Sequence, residues 1–357
     1  MEPDKRLVQL KKLVDRELMN FMKNFREVVD YNCCHEMYEH LREFVSRGGK
    51  RLRPIAVILG FKAIPGFEKV KGNIFRASLS VELIHNSTLV HDDIMDRDEL
   101  RRGGKTTHAF FRDYFKLMNV GDAKHMGISM GIIGGDILLA LGVLALTTSG
   151  FESERVCKAI EILMDTYRKI GDGQIMDMTF PYADVEEVDR ELYIDMITLK
   201  SAILYEASFW IGALLAGASE KQINTLRSYA VDIARAFQIQ DDILGMFGDE
   251  KETGKPVGND IREGKRTILV VELLNRCDDE EREKILKILG NRSASDEDVE
   301  YVRQLMLKYG VLEDARRLGL EYVERAKEIL FRNIDKFNRE VIDILLWFAD
   351  FMVARRF

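Results

Sequence analysis

The sequence predicts an all-α protein of long helices forming one domain over residues 1–357. Three observations carry that expectation. Leu, Ile, Ala, Glu, Lys and Arg, which enter helices at little cost, are abundant throughout. Only five prolines occur, and no Gly/Ser-rich or Pro-rich linker interrupts the chain, which favours one domain over two. Apolar residues recur at helical spacing from the first segment onward, as at Leu7, Leu10, Leu13 and Leu18. With 46% hydrophobic residues the chain can bury a large core.

Taken in order, residues 4–46 form one or two amphipathic helices. Ser46–Pro54 (SRGGKRLRP) breaks the pattern and the apolar run IAVILGFKAI follows. The next helix is Phe75–Met95, ending in the carboxylates Asp92, Asp93 and Asp96. Phe110–Leu117 is aromatic and basic. Gly127–Leu146 (GISMGIIGGDILLALGVLAL) has the length of a membrane span, but Asp136 sits in its middle and glycines crowd its first half. A charge there is costly in lipid, so a helix buried inside the bundle is expected and no transmembrane segment.

Glu152–Ile170 and the acidic GDGQIMDM make another long helix. PYADVEEVDRELY supplies a connection and a helix start. Tyr193–Leu215 is expected as one long apolar helix carrying Lys200 and Ser201. Lys221–Phe247 is helical and ends in a second acidic cluster. The remaining residues are helical and amphipathic, with polar breaks near Asn291–Asp296 and Tyr309–Leu312.

Composition narrows the function classes. A net charge of −7 argues against nucleic acid as the main partner. The four cysteines (Cys33, Cys34, Cys157, Cys277) lack metal-ligand spacing and fit reduced thiols in a cytoplasmic protein. The N-terminal stretch is charged throughout, without the apolar core of a signal peptide.

The chemistry concentrates at the two acidic helix ends. Asp92 and Asp96 lie four apart, hence on one helix face, with Asp93 flanking them. Hard oxygen ligands with room for water suit Mg²⁺, whose other positions are often taken by phosphate oxygens. Arg101, Arg102 and Lys105 follow, and arginine recognises phosphate in a planar, bidentate way. The second cluster, Asp241 and Asp242, also ends an apolar helix, with Asp249 and Glu250 beyond it and then Lys255, Lys265 and Arg266 in a Gly-containing loop. Two such helices facing one another across a bundle would hold a diphosphate through Mg²⁺. SRGGKRLRP adds further cations beside two glycines, which fits a second anionic substrate bound without metal.

In GGKRLRP, HDDIMDRDELRRG, GDGQIMD, TLKSA, FQIQDD and GKPVGNDIREGKRT, taken in that order, the chain resembles the trans-isoprenyl diphosphate synthases, and nearly its whole length is covered. The resemblance implies a single all-α domain around a central cavity, a homodimer, and up to three Mg²⁺ ions. It implies substrates that are isopentenyl diphosphate and an allylic diphosphate, joined head to tail. Residue by residue, Asp92 and Asp96 match the metal ligands of the first motif, with Asp93 in support. Asp241 matches the ligand of a third ion, with Asp242 behind it. The family motif is Asp-Asp-x-x-Asp, and this chain carries Gly245 at its fifth position; Asp249 is a candidate substitute.

Isopentenyl diphosphate is expected at Lys50, Arg53, His85 and Arg102. Arg101, Lys200 and Lys255 match the clamp on the allylic diphosphate, with Lys265 nearby. Ser201 stands where the family more often has Thr. Gln238 and the Lys200 carbonyl would face the allylic cation, and Gln174 and Asp177 would line the same site. The catalytic set is therefore Asp92, Asp93, Asp96, Lys200, Ser201, Gln238 and Asp241. No nucleophile is needed, so His91 and His108 are expected to be peripheral.

Product length is expected to depend on the helix before Asp92. Ser87 and Thr88, one turn below, are small where farnesyl-type enzymes commonly carry an aromatic. The next wall residues, Ile84 and Val81, lie roughly 12 and 16 Å down at about 1.5 Å per residue. Phe110, Phe111 or Tyr114 could form the floor instead. The expected product is C20 geranylgeranyl diphosphate; the alternatives are C25–C40 products or a bifunctional farnesyl/geranylgeranyl synthase. A terpene cyclase would not need GGKRLRP with Arg101 and Arg102, and a squalene-type synthase matches the loops poorly. A non-catalytic regulatory subunit is favoured only by Gly245.

Overall fold

Helix start and stop signals in the chain are used where they stand. In the computed structural model, which describes residues 3–248 and 258–354, Asn73 caps the helix Ile74–Asp96 by accepting the Arg76 N–H at 3.1 Å. That helix ends as Arg97 turns into the left-handed region at φ 62°. Ser219 and Gln222 form a reciprocal capping box ahead of Glu220–Phe247. Asp249, Glu250 and Lys255 lie outside the described residues.

The chain divides into two compact units, Met1–Leu163 with Ser208–Ala218, and Met164–Ala207 with Ser219–Phe357. In the first, the order is α1 (Pro3–Lys23), α2 (Asn32–Ser46), α3 (Leu52–Lys62) and α4 (Ile74–Asp96). A minimal antiparallel ribbon follows, β1 (Leu100–Arg101) and β2 (Gly104–Lys105), then α5 (Thr107–Leu117) and α6 (Ala123–Thr147). Helix α7 (Ser153–Thr179) begins in this unit and ends in the second.

The second unit continues with α8 (Arg190–Ile197), a π-helical segment Thr198–Ala202 and α9 (Ile203–Ala216), which runs back into the first. Then come α10 (Glu220–Phe247), α11 (Asn259–Glu263), α12 (Ile268–Arg276), α13 (Asp279–Ile288), α14 (Asp296–Lys308), α15 (Val311–Phe331) and α16 (Arg339–Val353). The all-α expectation holds, with one ribbon of two residues per strand as the exception among the described residues.

Two expectations are corrected. The stretch Tyr193–Leu215 is not one regular helix, because Ile203 N–H bonds the Thr198 carbonyl five residues back and the turn around Lys200 is widened. Helix α6 is not buried on all sides. Its glycine side packs on α4 so closely that a Cβ at Gly142 would stand 2.9 Å from Ile84 Cγ1, and one at Gly135 only 2.1 Å from His91 Nε2. Its bulky side faces outward, with Ile132 and Ile133 each 48% exposed and Leu144 39%. By length and composition alone, α6 and the stretch Arg190–Ala216 could each cross a membrane; most of the latter is buried in the fold.

Candidate active site

In the first unit, α4 presents two different surroundings for an anion. At its C-terminal end Asp92 and Asp96 are partly exposed, while Asp93 is fully buried. Asp93 Oδ1 accepts the Arg101 Nε–H at 2.5 Å, and Arg101 also approaches Asp98 at 3.7 Å. Burial pushes the Asp93 carboxyl up to about 7, against the pull of Arg101. Its Oδ2 has no hydrogen-bond partner among the described residues.

Seven residues earlier, about 10 Å along the helix, His85 sits among guanidinium groups. Arg53 Nη1 lies 3.1 Å from His85 Nε2. Arginine has no acceptor, so Nε2 accepts and the imidazole is neutral. Burial, then the Arg53, Arg102, Arg101 and Arg51 charges, hold its pKa well below the usual histidine range. Arg102 donates to the Gly48 carbonyl at 2.6 Å, and Lys50 is exposed on the same loop.

That loop is held by Arg51, a residue the sequence reading passed over. Arg51 takes a left-handed φ of 53° and is 4% exposed. Its guanidinium bonds Asp15 at 2.8 Å, the Val45 carbonyl at 2.6 Å, and Glu82 of α4. Glu82 in turn accepts from Asn86 at 3.1 Å. Only its position between Lys50 and Arg53 marked it in the sequence.

The wall residues separate. Ile84 packs on α6, and Ser87, three residues on, is fully buried with its hydroxyl unpartnered among the described residues. Thr88 is partly exposed, and it lies one turn before Asp92 on the same side of α4. Phe110 stacks on His40 at 4.4 Å between ring centroids, and Phe111 is buried beside it. His91 Nε2 bonds the Ile132 carbonyl at 3.2 Å, and His108 Nδ1 lies 3.2 Å from the Thr106 hydroxyl.

In the second unit, Lys200 on the π segment bonds Asp177 of α7 at 2.5 Å. A Cβ on Gly173 would stand 2.3 Å from the Lys200 backbone nitrogen, so α7 lies directly on this turn. Gln174 of the same helix is partly exposed. Ser201 Oγ donates to Gln238 Oε1 at 3.0 Å, and Gln238 Nε2 donates to Asp242 Oδ1 at 3.1 Å. Tyr193 of α8 donates to Asp242 Oδ2 at 2.6 Å, with the Ile268 N–H at 3.4 Å. Burial raises Asp242 to about 7 although Tyr193 and Gln238 favour its ionised form. Asp241 beside it is partly exposed, and Lys265 pairs with Glu263 at 2.9 Å. Tyr193 was missed in the sequence because nothing local marks a tyrosine as the partner of a carboxylate 49 residues on.

The carboxylate end of α4, the arginines around His85 and the Lys200–Ser201 turn each carry a motif that resembles those of the trans-prenyltransferases. Comparison with known proteins agrees. The polyprenyl synthetase family model matches residues 34–306. A geranylgeranyl diphosphate synthase of Sulfolobus acidocaldarius is 36% identical over 90% of this chain and 91% of its own. A geranylfarnesyl diphosphate synthase of Aeropyrum pernix is 33% identical over 96% and 99%. Among solved structures, a geranylgeranyl pyrophosphate synthase of Corynebacterium glutamicum, complexed with isoprenyl diphosphate and magnesium, superposes with a TM-score of 0.90 at 30% identity, covering 100% of both chains. The chain belongs to the polyprenyl synthetase family.

Proposed function

We propose that this protein condenses isopentenyl diphosphate with an allylic diphosphate to make geranylgeranyl diphosphate, and that its two units form one synthase domain. The observation that carries this reading is that α4 has a carboxylate end and, about 10 Å along the helix, a histidine set among arginines from other elements. One substrate needs each.

For a divalent metal the donors fit. Asp92 and Asp96 offer hard oxygens at an accessible helix end, and beside them Asp93 keeps a buried oxygen with no partner among the described residues. Asp241 is the corresponding donor of the second unit. Bound Mg²⁺, up to three ions in the family, would neutralise charge on the departing diphosphate. Arg101, Lys200, Lys265 and Lys255 then bind that diphosphate, and Arg101 also holds Asp93 in place.

Lys50, Arg53 and Arg102 bind isopentenyl diphosphate. Neutral His85 accepts from Arg53 and so orients its guanidinium without adding a charge. Ser201, Gln238 and the Lys200 carbonyl present oxygens to the allylic cation. No protein nucleophile is required, and the diphosphate leaving group takes the proton lost in the last step.

Small Thr88, partly exposed on the Asp92 side of α4, favours C20. The similarity to a geranylfarnesyl synthase supports products of C25 or longer as the second reading. A second copy of this chain is the occupant we assign to the outward face of α6, since Asp136, itself exposed there, opposes a lipid contact. The four free cysteines support a cytoplasmic setting. The test is incubation with Mg²⁺, labelled isopentenyl diphosphate and farnesyl diphosphate, followed by separation of the dephosphorylated products. A dominant C20 product is expected; a longer ladder selects the second reading, and no extension from any primer rejects the enzyme.

A further inference from the structure

Helix α10 grips the widened turn at both of its ends. At the far end Ser201 Oγ donates to Gln238 Oε1 at 3.0 Å. At the near end Arg235 Nε–H donates to Thr198 Oγ1 at 2.9 Å. Arg235 and Gln238 stand three apart on α10, and Thr198 and Ser201 three apart on the turn, so the two contacts share one register. Lys200 lies between them. Arg235 itself stands outside every motif that the sequence singles out.

Thr198 is where the chain leaves α geometry, since its carbonyl accepts from the Ile203 N–H five residues on. Its hydroxyl is engaged twice, donating to the Ile194 carbonyl at 2.5 Å and accepting from Arg235. Back-bonding of this kind bends a helix, and a guanidinium held on the hydroxyl fixes the bend. Arg235 is held in turn. Its guanidinium lies 5.6 Å from the centre of the Tyr322 ring of α15, which Arg325 also covers at 4.8 Å. Buried Asp232, one turn before Arg235, accepts from Arg325 Nε at 2.6 Å and stands 3.9 Å from Arg235 Nη1. Arg325 therefore carries the pairing of Asp232, and Arg235 is left to serve Thr198.

We propose that Arg235 is a positioning residue for the Lys200–Ser201 turn. Through Thr198 it sets where that turn presents the Lys200 carbonyl and the Ser201 hydroxyl to the allylic cation. With the Gln238 contact alone the turn would be held at one end only, and a free end can relax towards the better hydrogen-bond geometry of a regular helix. The inference rests on this turn being part of the active site.

The test is steady-state extension of farnesyl diphosphate by the full chain with Mg²⁺, with melting temperature as a folding check. Arg235→Gln and Arg235→Met form a matched pair. Both are uncharged, but Gln carries an N–H as many bonds from Cα as arginine Nε, whereas Met carries none. Arg235→Met is expected to lower kcat about tenfold and to leave KM for isopentenyl diphosphate within about twofold. Arg235→Gln is expected to keep kcat within about threefold of the natural protein. Thr198→Val should match Arg235→Met, and the double variant Arg235→Met/Thr198→Val should fall less than about twofold below either, because one bond is removed in all three. Thr198→Val carries the test should Arg235→Met fail to fold. Equal kcat in Arg235→Gln and Arg235→Met, unchanged kcat in Thr198→Val, or losses that multiply in the double variant overturn the proposal and leave the enzyme reading intact. No extension by the natural protein from any primer overturns both.

Discussion

Tyr193 and Asp242 meet in the interior of the second unit, where the phenol donates a 2.6 Å hydrogen bond to a buried carboxylate. Asp242 then accepts from Gln238, which accepts from Ser201. The chain of bonds reaches from α8 to the turn carrying Lys200. Tyr193→Phe keeps the ring and removes the donor. We expect a loss of about 1–3 kcal/mol in stability and a fall in kcat of about tenfold, with KM values nearly unchanged. Steady-state kinetics beside urea denaturation separate the two; a loss of stability with unchanged kcat would make Tyr193 structural only.

Arg51 is the hub of the loop before α3. Truncation to Ala would leave Glu82 buried without its guanidinium, which costs on the order of 3–5 kcal/mol. Replacing both partners, as in Arg51→Met/Glu82→Leu, should recover much of that loss. Denaturation midpoints of the single and double variants check this. Equal loss in both would show that the pair does not act as a unit.

His40 is buried and stacked on Phe110, and burial lowers its pKa to about 4. Folded, the ring stays neutral; unfolded, it gains a proton below about 6.5. The unfolded state thus binds more protons between these values, so this stabilisation is present above 6.5 and is lost as pH falls towards 4. From pH 7 to 4.5 the loss is about 2–3 kcal/mol. His40→Gln, which retains a polar partner for Thr107, should show a shallower decline over that window. Parallel declines would refute the assignment.

Ser87 and Thr88 should respond differently to bulk. Thr88 lies on the Asp92 side of α4 and is partly exposed, so Thr88→Phe should shorten the product to C15 while the protein still folds. Ser87 is fully buried. Ser87→Phe overpacks there and should cost about 1–3 kcal/mol or more. Product chromatography and melting curves on both variants decide it; product shortening by Ser87→Phe with an unchanged melting temperature would reverse the assignment.

The exposed apolar side of α6 predicts a homodimer. Ile133→Glu and Leu144→Arg together should shift the mass measured by light scattering from two chains to one. A natural protein that is already monomeric at micromolar concentration would remove the argument.

By itself the sequence determined the helical architecture, because helix-forming composition and period act locally. It also located both acidic helix ends, the GGKRLRP loop and the Lys200–Ser201 turn, because motifs keep their spacing along the chain. Tertiary structure decided the rest. A helix apolar all round, such as α6, carries no phase, so only packing against α4 shows that its glycine side turns inward. The widening at Thr198–Ala202 likewise leaves no mark on apolar periodicity. Arg51 with Asp15 and Glu82, Tyr193 with Asp242, and Thr198 with Arg235 pair residues far apart in the chain, and their energies depend on burial that no local pattern encodes. Ser87 and Thr88, adjacent and alike in sequence, differ in burial because neighbouring residues on a helix point about 100° apart.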